Sequence, residues 1–187
     1  MGVLADENRV AELVDALAAA IDQRCDADSG PWALIGVRSR GDVLAERIAR
    51  RLDPQRLEGR VGTLDITLYR DDLSEAGADA VVRTTEVDFP IDGVNVVLVD
   101  DVLMTGRSVR AALQSLMDLG RPKRVWLSVL VDRGGRELPI QPDHVGLDLR
   151  QAQPPLDPAR RVQVHLEPTD PRDAIVLEDG DGDGDHV

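Results

Sequence analysis

The run Val96-Val97-Leu98-Val99-Asp100-Asp101-Val102-Leu103-Met104-Thr105-Gly106-Arg107-Ser108 carries the densest chemistry in the chain. Its leading part, from Val94 to Val99, is β-branched and apolar without alternation, as expected of a strand buried on both faces of a parallel sheet. Asp100 and Asp101 follow where that strand is expected to end, at the edge where open α/β sheets bind ligands. Two neighbouring carboxylates there accept hydrogen bonds from vicinal hydroxyls, such as those of a ribose. Thr105, Gly106 and Ser108 then supply hydroxyls, small side chains and backbone N–H groups ahead of the helical pattern Val109, Ala112, Leu113, Leu116 and Met117. A helix N-terminus with unpaired donors favours a phosphate, and Arg107 adds a fixed positive charge. Acids first and phosphate loop second is the order of groups along a ribose 5-phosphate.

Other chemistries fit these residues less well. An aspartyl-phosphate phosphatase needs Asp-x-Asp after its strand, and the residue two beyond Asp101 is Leu103. A P-loop needs Gly-x-x-x-x-Gly-Lys, which is absent. A plain helix cap needs only one acid. A second glycine-flanked turn, Gly36-Val37-Arg38-Ser39-Arg40-Gly41, lies between an apolar strand pattern and a helical one. A hydroxyl, two guanidinium groups and helix N-terminal amides meet there, a set suited to pyrophosphate.

The elements that must position these groups are legible from periodicity. Val10, Leu13, Val14, Leu17 and Ile21 predict an amphipathic helix over about residues 8 to 24. Trp32 to Val37 reads as a buried strand, Gly41 to Leu52 as a helix stopped before Pro54, and Val61 to Leu68 as a second strand. Residues 71 to 90 read as a mobile flap with one β-hairpin. After the signature strand come a helix from Val109 to Leu119 and a strand from Val125 to Val131. Alternating strands and helices of this length imply βαβ units and a parallel sheet. From Asp132 onward the pattern is irregular and Pro-rich, with Val162–Leu166 and Ala174–Leu177 as late strands folding over the sheet edge.

Bulk properties bound the rest. A length of 187 residues suits one domain with a sizeable core. Tyr69, Phe89, Trp32 and Trp126 are the whole aromatic complement, so aliphatic packing must dominate. Cys25 is alone, which rules out an internal disulfide, fits a reducing cytoplasm and leaves the thiol as a filler near a helix end. No window of about 18 uncharged apolar residues exists and no basic-then-apolar leader opens the chain, so a membrane partner and export are not expected. The net charge of −13 opposes nonspecific binding to DNA or RNA. Part of it sits in residues 178–187, an acidic stretch expected to be disordered and distinct from the domain at 1–177. His144, His165 and His186 form no nucleophilic or metal constellation, and Asp65 is either a support for the site or a satisfied carboxylate at the core edge.

The Asp100–Ser108 string resembles the phosphoribosyl pyrophosphate (PRPP) signature of the type I phosphoribosyltransferases. The strings Leu34–Gly41, Gly62–Leu73 and Val129–Gly134 together look like the PyrR family, bacterial pyrimidine-operon regulators that are also uracil phosphoribosyltransferases. The likeness spans about residues 10 to 177, and Leu64-Asp65-Ile66-Thr67-Leu68-Tyr69-Arg70-Asp71-Asp72 is specific to that family within the superfamily. It implies an α/β type I phosphoribosyltransferase fold, with a mostly parallel central sheet flanked by helices, a flexible flap and a C-terminal hood. It further implies that Ser39 and Arg40 contact pyrophosphate and that Asp100, Asp101, Val102, Leu103, Met104, Thr105, Gly106, Arg107 and Ser108 hold the ribose and its 5-phosphate. Arg133 and Val162 match nucleotide-contacting positions in the hood. Mg²⁺ accompanies PRPP in the family, with Asp100 and Asp101 nearby.

The implied reaction converts uracil and PRPP into UMP and diphosphate through a transition state like an oxocarbenium ion. Arg40, Asp100 and Asp101 would be its catalytic groups, and the flap, with Arg83, would exclude water. A homodimer or homotetramer is the implied assembly, with the first helix as a candidate interface. The chain also departs from the family. Met104 stands in place of Tyr and Ser108 in place of Thr. Gly135, Gln141 and Leu147 stand where His, Arg and Lys are usual, and Leu17, Ala18, Ala19 and Ala20 replace basic residues of the first helix. These basic positions are ones the family uses on RNA, so mRNA is expected to be a weak partner at most. The alternative expectation is a nucleotide-sensing regulator with little turnover.

Overall fold

The computed structural model describes residues 2–69, 84–152, 156–157 and 160–179. Most of the expected flap, including Arg83, lies outside those residues, as do His186 and most of the acidic tail.

A five-stranded parallel sheet runs in the order β3-β2-β4-β5-β6. Its strands are β2 (Trp32–Val37), β3 (Val61–Leu64), β4 (Asn95–Leu103), β5 (Arg124–Asp132) and β6 (His144–Asp148). β2 and β4 are both centrally placed, and Val96 to Val99 are each wholly buried, which accounts for the unbroken apolar run. Helices α1 (Glu7–Ala27) and α2 (Gly41–Ala49) cover one face of the sheet, and α4 (Arg107–Leu119) covers the other. A short α3 (Pro54–Leu57) follows α2, capped by the Asp53 carboxylate on the Gln55 N–H at 2.9 Å.

α1 begins earlier than its apolar period suggests because the Asp6 carboxylate accepts from the Arg9 N–H at 2.9 Å and caps it. Its buried stripe is Val10, Leu13, Val14, Leu17, Ala18, Ile21 and Cys25, and burial pushes the Cys25 thiol up to about 11. The thiol is therefore a packed filler. α2 stops at Ala49 rather than Leu52, and β3 stops at Leu64 rather than Leu68. The second ending has a clear cause. The Asp65 carboxylate accepts from both the N–H and the hydroxyl of Thr67, at 2.9 and 2.6 Å, and turns the chain into a 3₁₀ segment at Thr67–Tyr69.

Two strands do not announce themselves in the sequence. β1 (Gly2–Ala5) is too short to show a period, and it pairs antiparallel with β8 (Ala174–Glu178), which pairs in turn with β7 (Arg161–His165). This three-stranded sheet forms the hood. β6 lies inside the stretch expected to be irregular, just after Pro142. It is anchored as Asp143 exchanges two hydrogen bonds with Leu127, each 2.8 Å. Of the expected flap hairpin, the described part shows one antiparallel bridge, Thr63 with Glu86.

Two glycines bring the site-bearing turn onto the sheet. A Cβ on Gly36 would lie 2.3 Å from the Gly41 carbonyl oxygen, and one on Gly41 would lie 2.6 Å from the Val99 carbonyl oxygen. The start of α2 is thus pressed against β2 and β4. Two arginines then tie the hood to this side of the sheet. Arg40 donates from Nε and Nη2 to the Asp170 carboxylate, both at 2.9 Å. Arg47 donates to both Asp173 oxygens, and its Nη2 also reaches the Glu167 carbonyl at 2.7 Å.

Gly36→Ala should cost at least about 1–3 kcal/mol of stability, because the added methyl meets backbone rather than a movable side chain. Urea unfolding checks this. Hydrogen bonds from Arg40 hold the Asp170 carboxyl well below the usual carboxylate range; at Asp173 burial raises the carboxyl, but the Arg47 hydrogen bonds, the Glu167 N–H and the Arg47 charge together outweigh it and lower it too. Carboxyls lowered by folding add stability above the unfolded value of about 3.9, and that stability is lost as pH falls through their folded values. Urea titrations across acid pH should therefore show a steeper loss of stability in the native chain than in the Asp170→Asn, Asp173→Asn double variant.

Candidate active site

Strand order reverses between β2 and β4, since β2 leads outward to β3 whereas β4 leads the other way to β5. The crevice beyond the carboxyl ends of those two strands is where open α/β sheets place ligands. The turn after β2 and the loop after β4 both open into it.

A cavity of about 360 Å³ there is lined by Arg40, Asp101, Val102, Val162, Gln163 and Val164. It therefore brings together Arg40 from the first turn, Asp101 and Val102 from β4 and Val162 from the hood. β4 itself runs four residues further than the sequence suggests, to Leu103, with Val102 paired to Val131 and Leu103 to Asp132, so both acids belong to the strand. Asp100 is buried and accepts from the Asp101 N–H at 3.0 Å, and Asp101 accepts from the Val102 N–H at 2.8 Å. Burial raises the Asp101 carboxyl, against the lowering effects of the Val102 N–H and the nearby Arg40 charge.

Beside it, Val102, Leu103, Met104, Thr105, Gly106 and Ser108 line a pocket of about 60 Å³ with Val109. Gly106, with φ 93°, offers no side chain to cap the N-terminus of α4, and the Thr105 hydroxyl accepts from the Arg107 N–H at 3.3 Å. The turn thus presents that helix end toward the pocket. Its outer side is braced by residues that sequence reasoning did not single out. The Thr105 carbonyl accepts from the Glu137 and Leu138 N–H groups at 3.0 and 3.1 Å, and Gly106 packs against Leu138 and Ile140.

Several expected site residues stand elsewhere. Arg107 points its guanidinium at the exposed Glu137, with Nε 2.7 Å from the carboxylate, so its charge is spent at the surface. Arg133 is buried, and its Nη2 donates to the Asp157 and Arg160 carbonyls, both at 3.0 Å. It lines a different cavity, of about 330 Å³, with Arg136, Gln141 and Arg150. Ser39 is exposed on the turn, next to the Arg38–Ser39 cis peptide. Met104 is partly exposed and Leu103 is buried.

Of the four apolar positions in place of basic ones on α1, Leu17 and Ala18 are core residues, and only Ala19 and Ala20 reach the surface. Asp170, Asp173, Arg47 and Glu137 carried no sequence signal, because their partners lie between 30 and 130 positions away.

A magnesium–diphosphate complex needs one or two carboxylates from a protein and takes its remaining ligands from phosphate and water. Asp100 and Asp101 meet that need, and no cluster of three potential ligands occurs among the described residues. Nor is any described helix long and apolar enough to cross a membrane.

The sequence matches the phosphoribosyl transferase domain over residues 3–162. Among solved structures, the hypoxanthine phosphoribosyltransferase of Trypanosoma cruzi shares the fold at a TM-score of 0.69 with 18% identity, covering 96% of this chain and 97% of that one. A hypoxanthine-guanine phosphoribosyltransferase of Bacillus anthracis gives 0.61 at 20% identity, covering 79% and 81%. Two curated relatives are far more similar. The bifunctional protein PyrR of Pelotomaculum thermopropionicum is 51% identical over 152 residues, covering 80% of each chain. That of Deinococcus radiodurans is 51% identical over 148 residues, covering 79% of this chain and 78% of its own. A crevice at the strand-order reversal, an acid-tipped central strand and identity of this level place the chain in the phosphoribosyltransferase domain family and, within it, among the PyrR proteins.

Proposed function

We propose that the chain transfers the 5-phosphoribosyl group of PRPP to uracil. The observation that carries this reading is the shared cavity of Arg40, Asp101, Val102 and Val162, with the Thr105–Ser108 loop beside it. The loop holds the 5-phosphate through the amides at the start of α4. Asp100 and Asp101 orient the ribose hydroxyls. Uracil lies under the hood against Val162, with N1 facing C1 of the ribose. As the C1–oxygen bond to diphosphate breaks, the N1–C1 bond forms, the uracil N1 proton is released to solvent, and UMP and diphosphate leave.

Positive charge develops on the ribose ring and negative charge on the leaving group, so alignment and charge stabilisation supply the catalysis. Arg40 faces the departing diphosphate. Asp100 and Asp101 would be the residues near a Mg²⁺ that arrives with PRPP, and such an ion would supply charge neutralisation to the diphosphate.

The relatives named bifunctional also support a regulatory role, in which the bound nucleotide is the signal. The exposed face of α1 argues against RNA binding there, since it carries Glu7, Glu12, Asp15 and Asp26 beside Ala11, Ala16 and Ala19. Its exposed cation Arg9 is paired with Glu12 at 2.7 Å, so the face is net negative and offers little of the counterion release that drives binding. A cytoplasmic homodimer or homotetramer, a domain over residues 1–177 and a separate acidic tail complete the proposal.

Incubation with PRPP, Mg²⁺ and each nucleobase in turn, with product identified by chromatography, tests it. UMP formation from uracil is the expected result. Asp101→Asn should lower kcat/KM by about a hundredfold or more. Nucleotide binding without product would leave a sensor in place of an enzyme.

A further inference from the structure

Asp170 stands outside every motif in the sequence, yet the structure aims it at Arg40, the one cation among the described residues that line the cavity. Its two oxygens take the Nε and Nη2 of Arg40 in a bidentate pair, both at 2.9 Å. The carboxylate is itself held from behind, by the Leu166 N–H at 2.8 Å and by His165 Nδ1 at 3.3 Å. It is mostly buried, with 11% of its side chain exposed. A planar guanidinium offers two edges. The Nε edge is fixed on Asp170, and Nη1 has no hydrogen-bond partner among the described residues. Arg40 also lines the cavity with Asp101. Its backbone lies at φ 71°, a conformation unusual for a residue with a side chain, so backbone and side-chain tip are both constrained.

We propose that Asp170 is a positioning residue for the transfer reaction: it clamps one edge of the Arg40 guanidinium so that the other edge faces the diphosphate of PRPP. This rests on the transferase reading above and adds a role for the β7–β8 turn. The neighbouring pair on the same turn, Arg47 with Asp173, supplies the contrast. It ties the turn to α2, but neither residue lines the cavity. Docking of the hood and aiming of Arg40 are therefore separable by substitution.

Steady-state kinetics with varied PRPP, together with calorimetric titration of Mg²⁺–pyrophosphate, should be run on the native chain, Asp170→Asn, Asp173→Asn, Arg40→Lys and the Arg40→Lys, Asp170→Asn double variant. Loss of the clamp is expected to raise KM for PRPP about 10- to 100-fold and to weaken pyrophosphate binding similarly, with KM for uracil little changed. Asp173→Asn should leave KM for PRPP near the native value. The double variant should be no worse than Arg40→Lys alone, because Asp170 acts through Arg40.

An unchanged or lowered KM for PRPP in a folded Asp170→Asn chain would overturn the proposal, as would effects that simply add in the double variant. Failure of Asp170→Asn and Asp173→Asn alike would overturn it too, reducing both pairs to hood docking. The underlying reading fails separately. A native chain that makes no product but binds pyrophosphate, with that binding weakened by Asp170→Asn, would remove the turnover and keep the clamp.

Discussion

The site depends on one close approach. Where α2 begins, its backbone sits against β2 and β4 at distances that leave no room for a Cβ on Gly36 or Gly41. That contact sets the Arg40 turn beside the carboxyl end of β4, so a cation and a carboxylate from different strands share one cavity. Parallel strands with crossover connections produce such a crevice wherever their order reverses. The glycines decide how tightly it closes. A wider spacing would leave Arg40 reaching across solvent, where a charge acts weakly.

On that frame the two ligand-facing turns are built differently. The loop after β4 is local: Thr105, Gly106 and the start of α4 are contiguous, and only the Glu137–Ile140 segment braces them from outside. The Arg40 turn is a long-range construction, since the residue that directs it lies 130 positions away in the hood. The hood is a small antiparallel sheet completed by the N-terminal strand β1, so both ends of the described chain contribute to the cover over the site. The turn proposed for the phosphate is thus encoded in one stretch of sequence. The cover over the crevice is assembled from distant ones.

What the sequence disclosed follows the same division. The four apolar positions before Asp100 and the Thr-Gly turn after Leu103 were legible because their signals are local: burial on both faces, then small residues opening a helix. Val162 was placed only by resemblance, and the structure brings it to the cavity with Asp101. β1 and β6 were hidden, one by its four-residue length and the other by flanking prolines and by Gly146, where a Cβ would lie 2.7 Å from the Leu130 carbonyl oxygen. Arg107 is expected at the ligand from its type and position, and Arg133 from resemblance alone. Their guanidinium groups instead meet Glu137 and the Asp157 and Arg160 carbonyls, pairings that no spacing rule foretells. Asp170 was invisible for the same reason.

The central claim is spatial: one crevice seats a phosphate on the Thr105–Ser108 turn, a pentose on Asp100 and Asp101, and a diphosphate before Arg40. A crystal structure of the chain with Mg²⁺ and PRPP, or with UMP, tests it most directly. The account predicts the 5-phosphate within hydrogen-bond distance of the amides at the start of α4 and the ribose hydroxyls on the two carboxylates. Density for the phosphate at another site, such as the arginine-lined cavity beside Arg133, with the crevice between β2 and β4 left empty, would contradict it.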